Sequence, residues 1–108
     1  MIARLDHVVL TTRHRERCVD FYTRVLGMRL ETFGQGRIAF RFGDQKINLH
    51  EAGREFEPKA TRPTPGSGDL CFVTVSPIAD VATGLAIASL TVAGVLAGFV
   101  VFGRISPL

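Results

Sequence analysis

The 108-residue chain has no tryptophan, one tyrosine and two cysteines. Two cysteines cannot build the disulfide framework of a small secreted scaffold, and Cys18 and Cys71 form no CxxC pair of the kind that holds structural zinc. Both lie in apolar stretches, so buried free thiols in a reducing cytoplasm are expected. Excess charge is scarce too. The net charge is +3, and Arg13, Arg15 and Arg17 cluster without an aromatic platform on which bases could stack, so no nucleic-acid partner is expected. Arg4 and Asp6 fall where a secretory leader needs an apolar core, so none is expected. The last scarcity is uneven. Only Arg104 carries charge after Asp80, and no glutamate follows Glu57.

With 46% apolar and 21% charged residues, the chain reads as one small globular domain and not as a disordered polymer. Leu5–Leu10 is a short β-rich segment ended by Thr11 and Thr12. Between Arg15 and Leu26 the period changes: Cys18, Phe21, Tyr22, Val25 and Leu26 follow the spacing of an amphipathic helix, with Gly27 at its C-terminal cap. Three strands are predicted next. Met28–Phe33 stops at Gly34-Gln35-Gly36. Arg37–Phe42 alternates, with Ile38, Phe40 and Phe42 on one face and Arg37, Ala39 and Arg41 on the other. Lys46–His50 returns after a tight turn at Gly43-Asp44. The loop Glu51–Gly68 holds three prolines, and a further strand is expected over Asp69–Val75. The order is β-α-β-β-β, a connection and a new β, an α+β fold.

Asp6-His7-Val8-Val9-Leu10, the helix with Asp20-Phe21-Tyr22 and its ending Val25-Leu26-Gly27-Met28, and the run Phe42 to Glu51 together resemble the vicinal oxygen chelate superfamily. That superfamily comprises glyoxalase I, extradiol dioxygenases, fosfomycin-resistance enzymes and bleomycin-resistance proteins; Phe42–Phe72 looks closest to its glyoxalase-domain-containing branch. The resemblance covers residues 2–80 and implies one βαβββ module plus the first strand of a second, incomplete module. It implies a homodimer, a small-molecule substrate and a divalent ion (Zn, Mn, Ni, Fe or Mg) that chelates two neighbouring substrate oxygens and polarises them as a Lewis acid.

By that resemblance His7 takes the first-strand ligand position. A histidine in an apolar strand needs a hydrogen-bond partner or a metal, and a core partner is the ordinary alternative. On the fourth strand Asn48 aligns with a carboxylate of glyoxalase I. His50, two residues on and so on the same face, is the better ligand chemically. Asp69 stands where relatives place a second histidine; an Asp that merely caps the preceding turn is as ordinary. Arg37 and Arg41 share a face. If that face lines the cavity they can grip an anionic substrate, and otherwise they are solvated.

The family's terminal Asp-Pro-x-Gly…Glu ending is absent after Asp80. That absence favours a chain without a metal triad, but His7 and His50 make the leading expectation a metal-dependent lyase, transferase or dioxygenase-like enzyme. Its alternatives are a metal-free ligand-sequestering protein of the bleomycin-resistance type and a catalytically incomplete fragment. Residues 81–108 form an apolar tail, uncharged from Val81 to Gly103, that admits three readings: a membrane span carrying the Gly94–Gly98 GxxxG match, a soluble helix and strand, or a truncated or frame-shifted ending. Membrane integration is not expected, because glycines dilute the run.

Overall fold

The computed structural model describes residues 1–77, 79, 80, 83 and 102–105. Two compact units divide the chain, Met1–Pro65 and Gly66–Leu108. The first contains strand β1 (His7–Thr12), helix α1 (Arg15–Asp20) running into a single widened π-helical turn (Phe21–Val25), then β2 (Arg29–Phe33), β3 (Arg37–Phe42) and β4 (Gln45–Glu51). This is the βαβββ order that the hydrophobic periods predict. Boundaries move by one or two residues, and β1 runs on through Thr11 and Thr12, whose β-branched side chains suit a strand.

The predicted helix is one element in sequence but two in geometry. Its last turn widens, with the Leu26 N–H reaching back to the Phe21 carbonyl at 3.1 Å. Gly27 then takes φ +71°, and the Gly27 and Met28 N–H groups donate to the Thr23 and Tyr22 carbonyls. A left-handed residue here lets the chain cap its own carbonyls and reverse into β2, and glycine adopts it without Cβ strain.

The four strands form one sheet in the order β1-β4-β3-β2. β1 and β4 run parallel, and the other pairs are antiparallel. The β1–α1–β2 connection carries the helix across one face of this sheet. There Tyr22 stacks on Phe40 with ring centroids 4.7 Å apart, and Phe21 meets Tyr22 edge-on at 5.3 Å. Phe21, Phe40 and Ile47 are the largest wholly buried side chains. Each such side chain removed from water contributes about 1.5–3 kcal/mol, so this aromatic and aliphatic layer holds the unit together.

The second unit holds β5 (Cys71–Thr74), paired in parallel with β6 (Phe102–Ile105). The strand expected from Asp69 starts two residues later, so Asp69 precedes it in exposed loop. Cys71 is exposed, against the expectation of burial, because it opens a strand whose alternate residues face outward; Cys18 is half-buried and donates to Thr12 Oγ1 at 3.3 Å. Among the described residues no helix is long and apolar enough to cross a membrane. The three readings of residues 81–108 fall almost wholly outside the described residues.

Candidate functional site

The sheet has a second face, opposite α1, and the register states what stands on it. Paired residues project to the same side, and alternate residues along a strand do likewise. His7, Val9 and Thr11 of β1 lie opposite Lys46, Asn48 and His50 of β4. Lys46 and Asn48 in turn lie opposite Arg41 and Ala39 of β3, which face Arg29 and Glu31 of β2. One more step brings Arg37 level with His50 and opposite Phe33. The alternation read in β3 therefore has a consequence across four strands. One face is apolar and covered by the helix, while the other gathers three arginines, a lysine, two histidines and an asparagine around the carboxylate of Glu31, with Asp6 beside His7 at its edge.

Several of these groups are already committed. Glu31 accepts from Arg41 Nε at 2.6 Å, and the guanidinium holds the Glu31 carboxyl below its ordinary range. Lys46 Nζ lies 4.8 Å from the centre of the Phe33 ring. At the other end of β1, His7 Nδ1 lies 2.9 Å from Asp6 Oδ2, a contact that lowers the Asp6 pKa. His7 itself is exposed.

Two others each have an atom without a hydrogen-bond partner among the described residues. Asn48 Oδ1 and His50 Nδ1 are buried with no hydrogen bond among the described residues. His50 is only 8% exposed. Its ring meets Phe56 edge-on at 6.0 Å, and the Arg37 guanidinium lies 4.5 Å from the centre of the same Phe56 ring. Burial lowers the His50 pKa, the Arg37 charge adds to this, and Glu55 opposes it. Because the folded state disfavours the imidazolium, the unfolded chain binds the proton more readily. The stability tied to His50 is therefore present above its ordinary value of 6.5 and is lost as pH falls below it. Denaturant titrations between pH 8 and 5 should show His50→Gln losing less stability on acidification than the wild type. Parallel losses in both proteins would mean that His50 is not the titrating group.

The predicted site residues are thus distributed unequally. Asn48, His50, Arg37 and Arg41 share one face with His7, but His7 and His50 do not adjoin. Thr11 is the residue opposite His50, and it lies four positions along β1 from His7. Four residues of strand span about 13 Å at ~3.3 Å each. The parallel register thus sets His7 and His50 four residues apart along the polar face. Asn48, opposite Val9, is nearer to His7. Asp69 belongs to the second unit. Among the described residues no three His, Cys, Asp or Glu side chains gather as a metal centre would need. Phe56, which touches both His50 and Arg37, escapes a reading of the sequence. It sits in the proline-rich loop, where no periodicity assigns an aromatic residue to a face.

Comparison with known proteins agrees with this architecture. The model of the Glyoxalase/Bleomycin resistance protein/Dioxygenase superfamily matches residues 4–100, running past residue 80. The glyoxalase domain-containing protein RDO1 of Mycosarcoma maydis is 60% identical over 76 residues, covering 70% of this chain and 43% of that protein. Virulence protein STM3117 of Salmonella typhimurium is 51% identical over 92 residues, covering 85% of this chain and 64% of its own length. The crystal structure of STM3117 superposes with a TM-score of 0.77 at 53% identity, covering 82% of this chain and 71% of that one. The chain therefore spans roughly half of the curated relatives it matches. At the level of fold alone it resembles lactoylglutathione lyase from Agrobacterium tumefaciens (15% identity, TM-score 0.59, 81% of this chain and 71% of that one). The fosfomycin resistance protein of Mesorhizobium loti is as similar (17% identity, TM-score 0.59, 82% and 70%). A βαβββ sheet with one helix-covered and one polar face, matched by the family model along most of its length, belongs to the Glyoxalase/Bleomycin resistance protein/Dioxygenase superfamily.

Proposed function

We propose that this chain binds a small, oxygen-rich anionic molecule on the polar face of its first sheet, and that this face needs no metal ion to do so. The observation that carries the reading is the pair of buried, unpartnered atoms, Asn48 Oδ1 and His50 Nδ1, set among cationic side chains. A buried polar atom without a partner costs about 1–3 kcal/mol, a cost that a ligand reaching both atoms removes. This is the ligand-sequestering alternative of the bleomycin-resistance type. A small molecule and a second copy of the chain are its partners, the second copy suiting a sheet whose end strands β1 and β2 have, among the described residues, one unpaired side each.

The divalent ion implied by the family fits the described donors poorly. His7 has the arrangement of a ligating imidazole, with one nitrogen held by a carboxylate. The polar side chain opposite the next residue on that face is the Asn48 amide, a weak donor to first-row metals. One imidazole and one amide fall short of the four ligands such ions usually take.

The second reading, metal-dependent lyase or dioxygenase-like chemistry with His7, His50 and Asp69 as ligands, rests on that Asp6–His7 contact and on the shared fold. Thermal melts separate the two. A bound ion at a hundredfold excess over Kd adds about 2.7 kcal/mol, on the order of 10 °C or more for a domain of this size. Zinc, manganese and nickel should each leave the melting temperature of the full chain unmoved. A rise of that size, lost in His7→Ala and kept on replacing the exposed His14 just before α1 (His14→Ala), would establish the metal reading in place of ours.

A further inference from the structure

At one end of the polar face three side chains meet: Arg37 from β3, His50 from β4 and Phe56 from the loop beyond. Phe56 contacts both of the others, lying 4.5 Å from the Arg37 guanidinium and 6.0 Å from the His50 ring. The charge here is not neutralised. Arg41, on the same face, is held by Glu31, but Arg37 has no carboxylate partner among the described residues. The nearest acid that His50 senses is Glu55, whose Oε1 is turned to the loop and accepts the Gly53 N–H at 3.1 Å. Lys59 adds further positive charge to His50 and is itself 4.0 Å from Glu57.

A planar guanidinium pinned on a ring presents its free edge as a fork, which matches the two oxygens of a carboxylate. A neutral imidazole whose Nδ1 carries the proton supplies one further donor to the same group. Two residues back along β4, about 7 Å away at strand spacing, Asn48 Oδ1 is an acceptor and therefore calls for a donor. The residue opposite Asn48 is Ala39, whose methyl group brings no polar atom to Asn48 Oδ1.

We infer that Arg37, His50 and Phe56 form a carboxylate subsite, and that Asn48 accepts from a hydroxyl one or two carbons away, so that the ligand is a small hydroxycarboxylic acid. This deepens the small-molecule reading above and rests on it. No covalent step is involved; recognition alone is assigned.

The test uses three probes of one size on the metal-stripped full chain: 2-hydroxybutanoate, butanoate and butane-1,2-diol, titrated while amide and side-chain NMR shifts are followed. The hydroxyacid should bind at least tenfold more tightly than butanoate, and the diol more weakly than either. Its shifts should centre on Arg37, Asn48, His50 and Phe56. Arg37→Gln should weaken both acids at least tenfold, Arg37→Lys less so, and Asn48→Ala should erase the difference between hydroxyacid and butanoate. If Arg37→Gln fails to fold, the shift map of the wild type decides. A diol that binds as well as the hydroxyacid overturns the subsite, as does the absence of binding by either acid. Acid binding centred on Arg41 and Lys46 also overturns it, while leaving the small-molecule reading in place. Hydroxyacid binding at Arg37 only after zinc is added would instead overturn the metal-free reading and leave the subsite standing.

Discussion

Phe40→Ala should cost about 3–5 kcal/mol of folding stability, measured by denaturant titration. Phe40 lies at the middle of β3, is 0% exposed, and has strands on both sides of it, so the sheet has little freedom to close the gap its ring would leave. Truncation also removes the surface on which Tyr22 stacks, exposing the helix-to-sheet contact itself. Leu30, on the edge strand and 43% exposed, is the control; Leu30→Ala should cost under ~1 kcal/mol, since an exposed side chain has little burial to lose. Equal losses at the two positions would mean that the core does not sit where the helix crosses the sheet.

Phe21→Ala should cost a similar amount, about 3–5 kcal/mol, from the helix side of the same layer. Phe21 is 2% exposed and meets Tyr22 edge-on, while Tyr22 stacks on Phe40. Because Tyr22 bridges the two rings, the double variant should depart from the sum of the singles by about 0.5–3 kcal/mol, the coupling usual for residues that share a partner. Simple additivity would show that the two rings stabilise separate parts of the unit. A loss under ~1 kcal/mol for Phe21→Ala alone would mean that the apolar stripe of the helix belongs to other residues.

Tyr22 belongs to this core and not to the site. Burial raises its pKa well above the ordinary tyrosine value, so the phenol is neutral at physiological pH. The same helix gives Cys18 a partner in Thr12 Oγ1, and burial pushes its thiol pKa up, away from the thiolate that reactive cysteines present. The polar and charged side chains of the sheet therefore gather on its other side.

That division is legible in the amino-acid sequence. The two-residue alternation of Arg37–Phe42 puts Phe40 on one face and Arg37 and Arg41 on the other, because strand side chains must alternate. The 3.6-residue spacing of Phe21, Tyr22 and Val25 likewise fixes which side of the helix is apolar, and Gly27 marks its end. These are local consequences of backbone geometry, so the residues themselves carry them. The DH…FY…VLGM pattern identifies the superfamily for the same reason, being a string of positions within single elements.

What the sequence could not carry was which residues of separate strands come level. Asn48 and His50 share a face by local geometry, but whether His7 stands beside either depends on the parallel register of β1 and β4. That register puts Lys46, not His50, opposite His7. Phe56 is a sharper case: a loop residue has no period, and only the folded chain returns it over Arg37 and His50. Local periodicity determined the elements, their faces and the family. Tertiary pairing decided that two histidines expected to share an ion are held four residues apart, because a strand's register is a property of two strands and is written in neither alone.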